Sequence, residues 1–349
     1  MIGVFNYLAR AVAMGEQCLI WHRGRRVART PAILAGISLL VLAGICFMCF
    51  YTRKFHPIRI EHNVVYGHAD DMDLKMDIYF APDTGDRPVP AIMFIHSGAW
   101  SSGDKRKLTF PQLIPVLLQR GYLVASINYR TAPKYKFPAQ IEDAKCAVRF
   151  LRRHAATLHI DSNRIGVEGE SSGGQLAALL GLTDTSAGFD GNGGWKEVSS
   201  QVQAVVNLCG PMNLTKFETE TNNYNRQTIA NVFGAKNNGD AILKRASPVT
   251  YVSKDAPPFL ILHGRCDSIV PWMQSQEFQE KMRAAGNFSK LITVEKANHG
   301  FQGKNISPNQ VEMVNLIADF FDHVLKNGAH KTPSAAATAL LRGLPSEPD

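Results

Sequence analysis

Gly169-Glu170-Ser171-Ser172-Gly173-Gly174 decides how this chain is read. It follows Arg164-Ile165-Gly166-Val167-Glu168, a short β-rich run, and leads into Gln175-Leu176-Ala177-Ala178-Leu179-Leu180, which has the composition of a helix start. A serine between glycines at a strand-to-helix junction predicts a sharp turn that holds the Ser171 hydroxyl exposed on a strained backbone. Gly169 and Gly173 suit that turn because a side chain at either would collide with the neighbouring strand or the packed helix. The helix N-terminus beneath favours negative charge developing at Ser171. A glycine-rich turn that merely contains serines is the competing reading, and the rest of the chain decides between them.

Outward from this turn, apolar runs alternate with helical periodicity. Ile58 to Tyr66 and Leu74 to Tyr79 alternate apolar and polar residues around Gly67-His68-Ala69-Asp70-Asp71, as an opening antiparallel pair does. Ala91 to Ile95 and Tyr122 to Ile127 are continuous apolar runs, the pattern of strands buried on both faces, with a helical stretch from Phe110 to Gln119 between them. From Pro138 a helix is expected, with Ile141, Ala144, Val148 and Leu151 on one face. Gln203 to Leu208, Phe259 to Leu262 and Leu291 to Val294 read as further buried strands, and Met273 to Ala285 and Val311 to Leu325 as helices. The alternation implies an α/β fold with a mostly parallel, doubly wound sheet, helices on both faces and ligands at the carboxyl ends of its strands. Two long segments interrupt it, the glycine-rich 184–200 and the aromatic and polar 213–251, and both are expected to act as lids.

The net charge of +8 resembles a nucleic-acid signal until it is located. Residues 1–60 hold eight Arg and Lys against one Glu, which leaves about +1 for the remainder and argues against a phosphate-binding surface. After the basic leader 1–31, residues 32–51 carry no charge over twenty positions, enough for a helix across a bilayer core of about 30 Å. The expectation is a signal anchor; a cleaved secretory signal and a lipoprotein signal around Cys46 are the alternatives. Arg23, Arg25, Arg26 and Arg29 before the run, against Arg53, Lys54 and Arg59 after it, favour a non-cytoplasmic catalytic domain over 56–327. Residues 328–349 have the composition of a disordered tail. Beyond the leader and span the cysteines are Cys146, Cys209 and Cys266, none at metal-ligand spacing; one disulfide is open to them if the domain is exported, and buried free thiols are the default.

A serine hydroxyl attacks a carbonyl only when a base takes its proton and a third group orients that base. Asp267, in His263-Gly264-Arg265-Cys266-Asp267, follows one buried run, and His299, in Ala297-Asn298-His299-Gly300-Phe301, follows the next. Their order after Ser171 and their places at strand ends make Ser171, Asp267 and His299 the candidate triad. Singly, Asp267 reads as a loop carboxylate and His299 as a surface imidazole. Negative charge on the carbonyl oxygen needs preorganised N–H donors. His96-Ser97-Gly98-Ala99-Trp100 follows the first buried run, so the backbone N–H groups of Gly98, Ala99 and Ser172 are the candidate oxyanion donors, with His96 in a structural role. Trp100, Phe217, Tyr224 and Phe233 are candidate pocket residues, equally explicable as packing.

The sequence resembles the α/β-hydrolase superfamily, in its esterase/lipase branch of hormone-sensitive-lipase-like and bacterial feruloyl/acetyl-esterase-like proteins. Kynurenine formamidase and prenylcysteine methylesterase are more distant look-alikes. The resemblance spans about Val64 to Leu325 and rests on His96 to Trp100, Asn128-Tyr129-Arg130 with Phe137-Pro138-Ala139 and Asp143, Gly169 to Gly174, Ser247-Pro248-Val249, and the Asp267 and His299 loops. Ser97 stands where the pattern has glycine, Glu170 where Asp is frequent and Ser172 where Ala is frequent. The resemblance implies a serine carboxylesterase for small-molecule or carbohydrate-linked esters, with no metal or cofactor. An amidase, formamidase or peptidase with the same triad is one alternative, and a catalytically silent scaffold on the same fold is another.

Overall fold

The computed structural model describes residues 58–327 apart from 83, 84, 86, 217–222 and 238. The leader, the candidate membrane span at 32–51 and the candidate tail at 328–349 lie outside the described residues. Among the described residues no helix is long and apolar enough to cross a membrane.

Eight strands form one sheet in the order β1-β2-β4-β3-β5-β6-β7-β8. The strands are β1 (Arg59–Ala69), β2 (Met72–Phe80), β3 (Val89–Ile95), β4 (Leu123–Ile127), β5 (Ile160–Glu170), β6 (Ala204–Leu208), β7 (Phe259–Gly264) and β8 (Ser289–Val294). β2 pairs antiparallel with both β1 and β4, and every later pair is parallel. β3, β4, β6 and β7 are buried almost throughout, which is why they read as unbroken apolar runs rather than as alternating ones. The opening hairpin is tighter than its composition suggests: β1 continues through Gly67 to Ala69, which pairs with Met72, and only Asp70 and Asp71 turn, Asp70 at a φ of 52°.

Helices cover both faces. On one, α2 (Ala139–Arg153), α3 (Ser172–Leu182), α4 (Asn223–Phe233) and α5 (Met273–Ala284) close over a core that includes Met93, Ile95, Val148, Leu179, Val205 and Phe278. On the other, α1 (Leu113–Gln119) and α6 (Gln310–Phe321) cover Phe94, Val124, Val206, Leu262 and Ile317. Asn309 starts α6 with a capping box, its side chain accepting from the Val311 and Glu312 N–H groups while Glu312 reaches back to its own N–H. Because each crossover returns to the same end of the sheet, the loops after β3, β5, β6, β7 and β8 gather at one edge.

The two long segments pack differently. Segment 184–200 lies against α2 and β1: Trp195 donates to the Tyr66 carbonyl, His68 N–H donates to Gly193 O, and Arg149 donates to the carbonyls of Asp190 and Gly194. Segment 213–251 is pinned by Ser247, which accepts from Leu214 N–H and donates to Leu243 O, and by Gln274, which accepts from Met212 and Asn213 N–H groups.

Candidate active site

The turn after β5 has the geometry that its glycines require. Ser171 takes φ 51° and ψ −117°, a strained region for a residue with a side chain, and leads directly into α3 without capping it. A Cβ on Gly169 would stand 2.2 Å from the Gly173 carbonyl oxygen, and one on Gly173 would stand 2.1 Å from Ile95 O. Ser171 is thereby presented at the strand end, facing the cleft.

His299 Nε2 lies 2.9 Å from Ser171 Oγ, and its Nδ1 lies 2.7 Å from Asp267 Oδ2. The carboxylate is fully committed. Its Oδ1 accepts from the Ile269 and Val270 N–H groups, and its Oδ2 also faces His263 Nε2 at 3.2 Å. His263 is buried with Nε2 beside the Val270 carbonyl and Nδ1 beside Ser275 Oγ. A carbonyl can only accept, so Nε2 carries the hydrogen and Nδ1 accepts from Ser275. Burial pushes Asp267 up, but the hydrogen bonds from His263 and His299 outweigh it and hold the carboxyl below the usual range. Burial pulls His299 down, yet the Cys209 and Asp267 contacts win and raise its pKa above the ordinary value. Asn298 Oδ1 accepts from the His299 and Ser268 N–H groups, tying the histidine loop to the aspartate loop.

The loop after β3 supplies the opposite wall. Gly98 takes φ 127°, and a Cβ there would meet Ser102 O at 2.1 Å. Gly98 and Ala99 border Ser171 in a cleft of about 360 Å³, whose other walls are Ser97, Trp100, Ser102, Glu170, Pro211, Thr228, Ile269, Val270 and His299. Ser172 is buried as the first residue of α3, directly after the nucleophile. His96 is buried, its ring stacked on Tyr129 at 4.3 Å and its Nδ1 2.7 Å from Ser97 O, a structural position. Two departures from the family pattern meet here, since Ser97 and Glu170 both line the cleft, and burial raises the Glu170 carboxyl above its ordinary pKa.

Of the candidate pocket residues, Trp100 lines the cleft, and its Nε1 donates to Gln175 Oε1 at 2.9 Å. Phe233 does not reach the cleft; it packs edge-on behind Trp100, with ring centroids 5.2 Å apart, and against Phe137. Phe217 lies outside the described residues, as does the side chain of Tyr224, whose backbone belongs to α4. Segment 213–251 contributes Thr228 to the wall, whereas none of the described lining residues comes from 184–200. Cys146, Cys209 and Cys266 are free thiols, two buried and Cys266 exposed. Gln175, His263 and Asn298 support the site and Cys209 stands within it, without having been singled out by motif. The available signals were a polar residue opening an apolar helix and a histidine closing an apolar strand.

A mostly parallel eight-stranded sheet carrying a serine on a strained strand-to-helix turn, with aspartate and histidine on later strand ends, defines an α/β-hydrolase of the esterase/lipase branch. The BD-FAE family model matches residues 76–282, more than half of the chain, and the chain belongs to that family. It is 34% identical over 272 residues to the probable carboxylic ester hydrolase LipM of Mycobacterium tuberculosis, covering 76% of this chain and 58% of that protein. It is 30% identical to the esterase LipC of the same organism, covering 74% of this chain and 62% of that one. The chain thus spans about three-fifths of these relatives' length. Among solved structures it superimposes on a truncated carbohydrate esterase from gut microbiota with a TM-score of 0.68 at 27% identity, covering 77% of this chain and 96% of that one. Propionate-bound esterase 2 of Thermogutta terrifontis gives a TM-score of 0.63 at 27% identity, covering 82% and 99%.

Proposed function

We propose that the chain is a serine carboxylesterase acting on short-to-medium acyl esters through an acyl-enzyme. The observation that carries this reading is the hydrogen-bonded chain from Ser171 Oγ through the His299 imidazole to Asp267, opening on the cleft beside Gly98 and Ala99. Ser171 Oγ forms a bond to the ester carbonyl carbon as its proton passes to His299 Nε2. Asp267 keeps the imidazole in the tautomer whose Nε2 can accept, and its charge stabilises the imidazolium. The N–H groups of Gly98, Ala99 and Ser172 receive the oxyanion, each such donor commonly worth about 10²–10³ in rate. His299 then gives the proton to the departing alcohol, and water repeats the sequence to release the acid.

The cleft volume of about 360 Å³ and its Trp100 wall favour small acyl groups. The likeness to a carbohydrate esterase supports a carbohydrate-linked or small-molecule ester. Residues 32–51 serve, in this reading, as the anchor that holds the domain on the non-cytoplasmic side. Protease digestion of sealed membranes tests that arrangement: a protected domain in inverted vesicles supports it, and cleavage there contradicts it. The activity is tested with p-nitrophenyl esters from acetate to decanoate and a matched anilide, wild type against Ser171→Ala. Turnover of short esters by the wild type alone supports the reading; equal inertness on every substrate sinks it.

A further inference from the structure

Cys209 has no part in the ester chemistry above, yet it stands inside the site. β6, β7 and β8 are neighbours in the sheet, and the first residue after β6 is Cys209, while Asp267 and His299 follow β7 and β8. The donor atoms of Cys209, Asp267 and His299 lie within 4.8 Å of one another. Cys209 is fixed there by its backbone: its N–H donates to Leu262 O at 2.9 Å and its φ is 44°. Asp267 is held by the bonds from Ile269, Val270 and His263. A thiol, an imidazole and a carboxylate make a ligand set of the kind that binds Zn²⁺, with bonds of about 2.3 Å to sulfur and 2.0–2.2 Å to nitrogen and oxygen. Those lengths require separations between donors of about 3.3–3.6 Å, so with an ion bound the 2.7 Å contact between Asp267 and His299 opens and the wider separations, which reach no more than 4.8 Å, close.

We propose that Cys209, Asp267 and His299 form a binding site for a soft divalent cation, Zn²⁺ or Cd²⁺, and that its occupation withdraws His299 from Ser171. The balance is simple. The Cys209 thiol loses its proton to solvent and binds as thiolate; His299 binds as neutral imidazole and keeps one N–H. Whichever ring nitrogen takes the ion, the base is lost. If Nε2 binds, its lone pair no longer faces Ser171. If Nδ1 binds, the hydrogen moves to Nε2, which can then donate but not accept. Because the ion replaces the thiol proton, affinity rises by about tenfold per pH unit while that proton is being displaced.

The inhibitory part rests on the esterase reading, whereas the binding part stands alone, and the test separates them. The full chain is titrated with Cd²⁺ and followed by the ultraviolet sulfur-to-metal charge-transfer band, for wild type, Cys209→Ser, Cys266→Ser and His299→Gln. Contributions from Cys18, Cys46 and Cys49 are common to all four proteins. The saturable band should vanish in Cys209→Ser, persist in Cys266→Ser and require about 100-fold more Cd²⁺ in His299→Gln, since even an outer-shell partner is worth about 10–100-fold in metal affinity. A band that survives Cys209→Ser, or one lost with Cys266→Ser, overturns the site. With p-nitrophenyl acetate, Zn²⁺ should inhibit the wild type reversibly, with EDTA restoring activity, and should inhibit Cys209→Ser only at about 100-fold higher concentration relative to each protein's metal-free rate. Full turnover with Cd²⁺ bound at Cys209 overturns the inhibitory part. A protein that binds Cd²⁺ as described but hydrolyses no ester retains the metal site and loses the esterase reading.

Discussion

Replacing Gln175 by leucine isolates the support of the oxyanion wall. Gln175 is buried at the start of α3, where its Oε1 accepts from Trp100 Nε1 and its Nε2 donates to Ala246 O at 2.7 Å. An indole N–H can only donate and a carbonyl can only accept, so one orientation of the amide satisfies both. Leucine preserves the volume and orphans both partners in a buried setting, at about 1–3 kcal/mol each, or about 2–6 kcal/mol in all. Trp100 immediately follows Ala99, so releasing its indole also loosens a wall whose donors each contribute about 10²–10³. The expected outcome is a lower urea midpoint at unchanged slope, together with at least about a tenfold fall in kcat and little change in KM. In a Trp100→Phe background the orphaned indole N–H is already gone, so the same substitution should cost about 1–3 kcal/mol less. A Gln175→Leu protein within about 0.5 kcal/mol of wild type, with kcat intact, or a cycle showing no coupling, would refute the reasoning.

Other outcomes follow from the same geometry. His263→Phe removes a donor to the Asp267 carboxylate, a bond of about 1.5–3 kcal/mol, and should lower kcat by about tenfold or more without altering which esters are preferred. The neutral imidazole is the active form and its pKa is raised, so kcat/KM should climb along a limb whose midpoint lies above about 6.5; Asp267→Asn should move that limb down. By linkage, the raised His299 pKa adds stability that is fully present below about 6.5 and lost as pH rises through the folded value. Lys145 has the opposite sign. Burial pushes its ammonium down to about 8, so the Lys145 contribution should grow by up to about 3 kcal/mol between about pH 8 and 10.5, read as the change over that window in the stability difference between wild type and Lys145→Met in parallel denaturation series.

Local rules made much of this molecule readable. The Ser171 turn was legible because only glycine tolerates the carbonyl contacts at 169 and 173, and the strands were legible because burial on both faces forbids polar alternation. What escaped was fixed by partners distant in sequence. Phe233 has the composition of a pocket residue, and only its packing on Trp100 and Phe137 shows that it stands behind the wall. The glycines of 184–200 read as a lid, whereas Gly193 instead gives its carbonyl to His68 N–H and packs against Cys146 on α2. Gln175 and His263 carry only a weak local signal, a polar residue opening an apolar helix and a histidine closing an apolar strand, and Cys209 carries none, because what each does is fixed by residues distant in sequence or on another loop.

The most direct test of the central claim is intact-mass and peptide analysis after treatment with a fluorophosphonate, which reports an activated serine whatever the natural ester. A single stoichiometric adduct is expected on Ser171, abolished in Ser171→Ala and strongly slowed in His299→Gln. No adduct in the wild type, or an adduct on another serine that persists in Ser171→Ala, would contradict it.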